Sequence, residues 1–227
     1  MNKLIKIAAV VLCGATLVAC ADSDDDHAKQ ASYRLTVHNL TNNQPFSPLA
    51  FALHQAQYNP WQVGMAASLG LEKLAEGGDT TDFLRDSAIV AANAGDGIVA
   101  PGMSQSVDIT VPTHQMLMYS AATMLVNTND GFTGLKQYDI SALMPGESMT
   151  MLATVYDAGT EKNTESTDTM PGPADNGIGF DATRDDVGFV AAHQGVVTQD
   201  DGLTSSVLNQ SHRFESKVAK FTIERIE

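Results

Sequence analysis

Tyr33-Arg34-Leu35-Thr36-Val37-His38 alternates apolar and polar side chains with a period of two. That spacing predicts a β-strand with one buried and one solvated face. Asn39-Leu40-Thr41-Asn42-Asn43 follows as a turn cluster, and Leu49 to His54 is a second short apolar run. Ser106 to Val111 alternates again, with Val107, Ile109 and Val111 on one side. Met116 to Val126 is a longer, largely apolar run, as in a central strand covered on both faces. Met149 to Tyr156 alternates loosely. Phe189 to Val197 is apolar but broken by His193 and Gly195. Val218, Phe221, Ile223 and Ile226 define a last strand whose phase change predicts a bulge. Only Ala66 to Ala75 reads differently: Leu69, Leu71 and Leu74, with Glu72, Lys73 and Glu76 between, predict a helix that Gly77-Gly78 stops. Many short strands, one helix and turn-rich connections predict an all-β fold, an antiparallel β-sandwich with one or two short helices in the connections. Between Asp157 and Asp186 lies a stretch rich in Gly, Pro, Asp, Asn and Thr, a loop long enough to be expected to carry function or to lack order.

The N-terminus is of another kind. In MNKLIKIAAVVLCGATLVAC, Lys3 and Lys6 precede an apolar run from Ile7 to Val18. A bilayer span needs about 20 apolar residues, so this shorter run reads as a signal-peptide core. Leu17-Val18-Ala19-Cys20 resembles the lipobox of bacterial lipoproteins, which makes residues 1–19 the signal and Cys20 the acylated first residue of the mature chain. The alternative is a plain secretory signal with an incidental cysteine. Acyl chains anchor by hydrophobic transfer, and two or more hold stably, so the membrane is the first expected partner. Ala21 after the cysteine favours the outer membrane by analogy with enterobacterial sorting. Residues 20–32 then form a polar, acidic tether, and residues 33–227 one domain. Asp22, Asp24, Asp25 and Asp26 in the tether read as a solvated spacer rather than a metal cluster.

Cysteine and charge narrow the function. Of the two cysteines, Cys13 leaves with the signal, so the mature domain holds neither a disulfide nor a cysteine metal site. The net charge is -14 over 227 residues. So acidic a surface argues against nucleic acid as a partner and suits divalent cations. No Gly-x-Ser-x-Gly, His-Glu-x-x-His or phosphate loop occurs, so no catalytic residue is assigned. Six histidines (27, 38, 54, 114, 193 and 212) are scattered. His54 and His193 would bind zinc only if the fold joined them, and structural roles are expected instead. Met116, Met118, Met124, Met149 and Met151 read as core packing rather than a copper site. Trp61, near Tyr58 and Pro60, is either buried structure or a recognition patch.

Two loops at strand ends offer oxygen ligands: Asn127-Thr128-Asn129-Asp130-Gly131 and Asp157-Ala158-Gly159-Thr160-Glu161. Calcium takes six to eight oxygens, and ordinary Asx-turns account for the same residues. Spacing alone leaves both open.

Several segments in order resemble the spondin N-terminal domain. They are Tyr33 to Thr41, Ala67 to Thr80, Met124 to Leu135, Tyr156 to Glu161, and Pro171-Gly172-Pro173. The resemblance runs from about Tyr33 to Ile226. It implies a sandwich with one calcium between loops at one end, Asp130 and Asp157 as ligands, and Glu161 where an aspartate is usual. Gly131 stands where an aromatic or small residue is common, which is expected to loosen the loop. His193-Gln194-Gly195 departs from a His-Pro-Gly. The resemblance therefore implies Ca2+ and a calcium-binding module for adhesion or protein/glycan interaction at the cell envelope, periplasmic or exposed outside. The rival is an envelope-polymer-acting enzyme that uses acidic loop residues.

Overall fold

The computed structural model describes residues 30–113, 116–215 and 217–227. The signal 1–19, Cys20, the tether up to residue 29, and His27 and His114 lie outside them. Nine strands and one helix follow in order: β1 (Gln30–Asn39), β2 (Ala50–His54), α1 (Leu69–Gly77), β3 (Ile89–Ala94), β4 (Ser104–Pro112), β5 (Met118–Met124), β6 (Gly131–Asp139), β7 (Ser148–Asp157), β8 (Ala191–Ala192) and β9 (Lys217–Arg225). Two short 3-10 turns, Gln199–Asp201 and Gln210–His212, complete the list. Every strand pairing is antiparallel, in the order β3-β2-β5-β6-β7-β9-β1-β4, with β8 added beside β7. The chain is all-β with a short helix, as its patterning predicts, and the sheet nearly closes on itself.

Alternation along the strands becomes burial. Tyr33, Leu35 and Val37 are buried, whereas Arg34 is exposed and holds Asp108 on β4 through two bonds of 2.8 and 2.6 Å. On β5 every residue from Tyr119 to Met124 is buried, so the strand is covered on both faces. β7 belongs to two sheets. Its first part pairs with β9, and its last three residues pair with β6. The changeover is a register shift at Ala153/Thr154, opposite which Val218 and Ala219 are both buried. This is the bulge that the phase change in the last strand predicts, and it lets one strand turn a corner between sheets. β9 sits between β7 and β1, so the C-terminal strand is interior to the sheet.

The helix begins three residues later than its apolar spacing suggests. Ser68 caps it by accepting from the Leu71 N–H at 3.2 Å, and Gly78 ends it at φ 69°. Glu72 and Glu76 are buried despite their charge. Arg184 explains the first, with Nε and Nη2 donating to the two carboxylate oxygens at 2.9 and 2.5 Å. Among the other expectations, the Phe189–Val197 run supplies only the two-residue β8. Met116 is largely exposed rather than core, because it precedes β5 in the connection. Met124 is buried, and Met149 and Met151 are packed against the core. Trp61 is buried against Phe132 and Tyr156, with ring centroids 5.2 and 5.8 Å away. Among the described residues no helix is long and apolar enough to cross a membrane.

Candidate metal centre

The turn from β5 to β6 and the exit of β7 meet at one end of the sheet. Gly131 pairs with Asp157, and the Ala158 N–H donates to the Asp130 carbonyl at 3.2 Å. The backbone ladder therefore brings Asp130 and Asp157 together. The polar residues before Asp130 are latches. Thr128 Oγ1 donates to Leu125 O at 2.6 Å and accepts from the Gly131 N–H at 3.0 Å. Asn127 Oδ1 accepts from the Ala174 N–H at 3.0 Å, and its amide donates to Asn43 O. Asn129 reaches the long loop through Glu161 Oε1 at 3.0 Å, Thr169 O and the Glu165 N–H. Asn127, Thr128 and Asn129 thus tie the turn, as the Asx-turn reading has it, and none of these bonds takes up the carboxylate of Asp130.

Asp130 is fully buried. Its Oδ2 accepts from the Thr160 N–H at 2.8 Å, the Thr160 hydroxyl at 3.2 Å and the Glu161 N–H at 3.2 Å, while Oδ1 is buried with no partner. Burial and the neighbouring Asp157 push its carboxyl up to about 7. Asp157 is 7% exposed, and its oxygens accept from the Gly159 N–H at 2.7 Å and the Asn163 amide at 2.6 Å. The third member is Asp186. One oxygen from each of Asp130, Asp157 and Asp186 lies within 4.8 Å of the others. Oxygens bound to one calcium at about 2.4 Å stand at most about 4.8 Å apart, so the trio fits a single ion. Without a cation, two carboxylates about 4 Å apart repel by about 4 kcal/mol at an effective dielectric of 20. The orphaned Asp130 oxygen faces the same need. These residues fit a divalent ion.

Of the three residues expected from sequence, the structure joins Asp130 and Asp157. Glu161 stands beside them but turns its carboxylate to Asn129, and burial raises it to about 8. Asp186 was not singled out. It ends a turn-rich stretch full of acids, and nothing in its spacing separates it from Asp181 or Asp185. Gly131 does not loosen the turn. A Cβ there would lie 2.6 Å from Thr128 Oγ1 and 3.1 Å from the His193 ring, so glycine is what allows the turn to close. His193 packs edge-on against Phe214 at 5.1 Å and accepts from the Gly195 N–H through Nδ1. Its Nε2 is buried without a partner, and burial lowers its pKa although Asp157 opposes this. His54 is satisfied elsewhere, by Ser120 Oγ and Gln55 O, both at 2.8 Å.

The fold and site define an antiparallel all-β domain with buried carboxylates gathered on the connections at one pole. The chain belongs to the spondin N-terminal domain family, whose model, described as Spondin_N, matches residues 27–176. That family is one of non-enzymatic modules, generally extracellular, and it points to an adhesion-type module. A search of curated proteins found no match to the chain. The matched segment holds Asp130, Asp157 and Glu161 and stops before Asp186, β8 and β9.

Proposed function

We propose that the chain is a calcium-binding adhesion or protein/glycan-interaction module, held at the outer membrane by lipid on Cys20. The observation that carries the calcium reading is the buried, unpartnered Asp130 Oδ1 beside Asp157 and Asp186. A buried acceptor without a donor costs on the order of 1–3 kcal/mol, and a cation shared by three carboxylates removes that cost. Asp130, Asp157 and Asp186 would hold the ion, with Glu161 near enough to join through water. The ion would clamp the β5–β6 turn to the long loop after β7, in place of a disulfide. The acid/base alternative at an envelope polymer has no support from these acids, because Asp130 is fully buried and Asp157 nearly so.

Thermal melting with calcium and with chelator tests the clamp. A ligand at 100 times its Kd adds about 2.7 kcal/mol to a folded state it binds exclusively. A clear rise in Tm with calcium is expected, and Asp130→Asn should abolish that rise while leaving the metal-free domain at least as stable. An unchanged Tm, with no metal in the protein as isolated, sinks the reading. For the anchor, labelled palmitate should enter the wild-type chain in cells and not Cys20→Ser.

A further inference from the structure

We infer that the acidic pole faces away from the anchoring membrane and docks a basic, apolar-faced protein through a rim made by Val63, Met65, Val187 and Phe189. The orientation half rests on the lipoprotein reading of Cys20. β1 starts at Gln30, beside Pro112 and the C-terminal Glu227. It ends at Asn39, whose side-chain amide donates to Gln44 O, and Gln44 donates to Asn127 O in the metal turn. β1 therefore begins at one pole and the carboxylate trio sits at the other. Ten strand residues rise about 33 Å. Ten tether residues, from Cys20 to Gln30, reach at most about 35 Å when fully straight. The trio would meet the anchoring membrane only if every tether residue were extended back along the whole height of the domain.

The rim is continuous with the trio. Gly64 N donates to Val190 O and Val190 N to Met65 O, both at 2.8 Å, and Gly188 N donates to Gly159 O at 2.8 Å. These bonds set the loop carrying Val63 and Met65 against the one carrying Asp186, Val187 and Phe189. The four apolar side chains are 56%, 57%, 58% and 42% exposed in sequence order. Large apolar groups grouped on one pole mark an interaction surface. Charge then chooses the occupant. Residues 157–190 hold eight acids and two bases. Both bases are committed, Arg184 to Glu72 and Lys162 to Asp185. One bound divalent ion leaves this pole negative, so anionic lipid is repelled and a basic protein surface is attracted.

The test uses the acylated full chain in vesicles of phosphatidylethanolamine and phosphatidylglycerol, with an environment-sensitive dye at Val187→Cys and, separately, at Glu227→Cys. A headgroup-borne quencher should quench the Glu227 label strongly and the Val187 label little, with or without calcium. A peptide of alternating Lys and Leu, added with calcium, should blue-shift the Val187 label. A Glu/Leu peptide should not, and Met65→Ser with Phe189→Ser should weaken the response about tenfold. Quenching of the Val187 label by lipid makes the membrane the occupant and overturns the proposal. So does the absence of a response to the basic peptide, or an equal response to both peptides. If Cys20 carries no lipid, the orientation falls with the lipoprotein reading, and the peptide arm still decides the docking surface on the same chain.

Discussion

Glu165 shows how one residue writes a pH dependence into this fold. It is 2% exposed at φ 46°, with Oε1 accepting from the Val197 N–H and Oε2 without a partner. Burial pushes its carboxyl up to about 7, against about 4.3 for an unperturbed glutamate. Between those values the native state keeps a proton that the unfolded chain has released, so this group costs stability as pH rises from about 4 to about 7. Glu165→Gln keeps the acceptor and cannot ionise. It is expected to raise Tm at pH 8 and to leave it nearly unchanged at pH 5, and melts at the two pH values check this. Gly159 is constrained by shape instead. It sits at φ 69°, and a Cβ there would lie 2.2 Å from the Phe189 carbonyl oxygen. Left-handed backbone costs a non-glycine residue about 1–2 kcal/mol before any clash. Gly159→Ala should therefore lose about 2 kcal/mol or more in denaturant unfolding and weaken calcium binding, since it displaces the strand exit that carries Asp157.

The open seam between β3 and β4 is the weak element. Asn93 Nδ2 donates to Asp108 O at 3.0 Å and Gln105 Nε2 to Gly97 O at 3.3 Å, so side-chain amides bridge where no ladder runs. Such bridges cover edges that would otherwise invite pairing with another chain. A single bond of this kind is worth about 0.5–1.5 kcal/mol. Asn93→Ala should change global stability by no more than that, while β3 amides exchange faster than those of β5, as read by hydrogen exchange. The seam also shows which elements were legible in the sequence. β1, β4 and β7 stand out because half-buried strands alternate, and β5 because a strand covered on both faces is largely apolar, here with only Ser120 and Thr123 polar. β3 was not read, since Ile89-Val90-Ala91-Ala92-Asn93-Ala94 is only partly buried and carries no period. β6 was hidden by Gly131 and Gly134 and by Gln137, whose positive φ of 57° falls opposite the register shift at Tyr119/Ala121. The site divided in the same way. Asp130 and Asp157 follow apolar runs and so were marked as strand ends. Asp186 reaches them through a long irregular loop, and contacts made by such a loop leave no periodic trace.

At the scale of the molecule, the proposed calcium site would couple folding at the acidic pole to both protons and calcium. Asp130 raised to about 7, Glu161 to about 8 and Asp186 raised by burial and by Asp157 all belong to one end of the domain. In each case the native carboxyl holds its proton to a higher pH than the unfolded chain does. Stability of the metal-free protein should thus decline as pH climbs from about 4 toward 8, at about 1.4 kcal/mol for each pKa unit of an isolated, fully buried group and less for half-exposed Asp186. Calcium at the proposed site would bind the deprotonated carboxylates, so it would compete with those protons and its affinity should rise over the same interval. The two effects oppose each other in a measurable way. With chelator, Tm is expected to be higher at pH 5 than at pH 8. With saturating calcium that slope should flatten or reverse, and the calcium-induced rise in Tm should be largest at pH 8. Asp130→Asn removes the most buried of the three charges and should lose the calcium response together with its own share of the pH slope, while Glu161 and Glu165 keep theirs. A variant that lost the calcium response but kept the full pH slope would place the protons on groups other than the ion's ligands, and would separate two properties that the geometry joins.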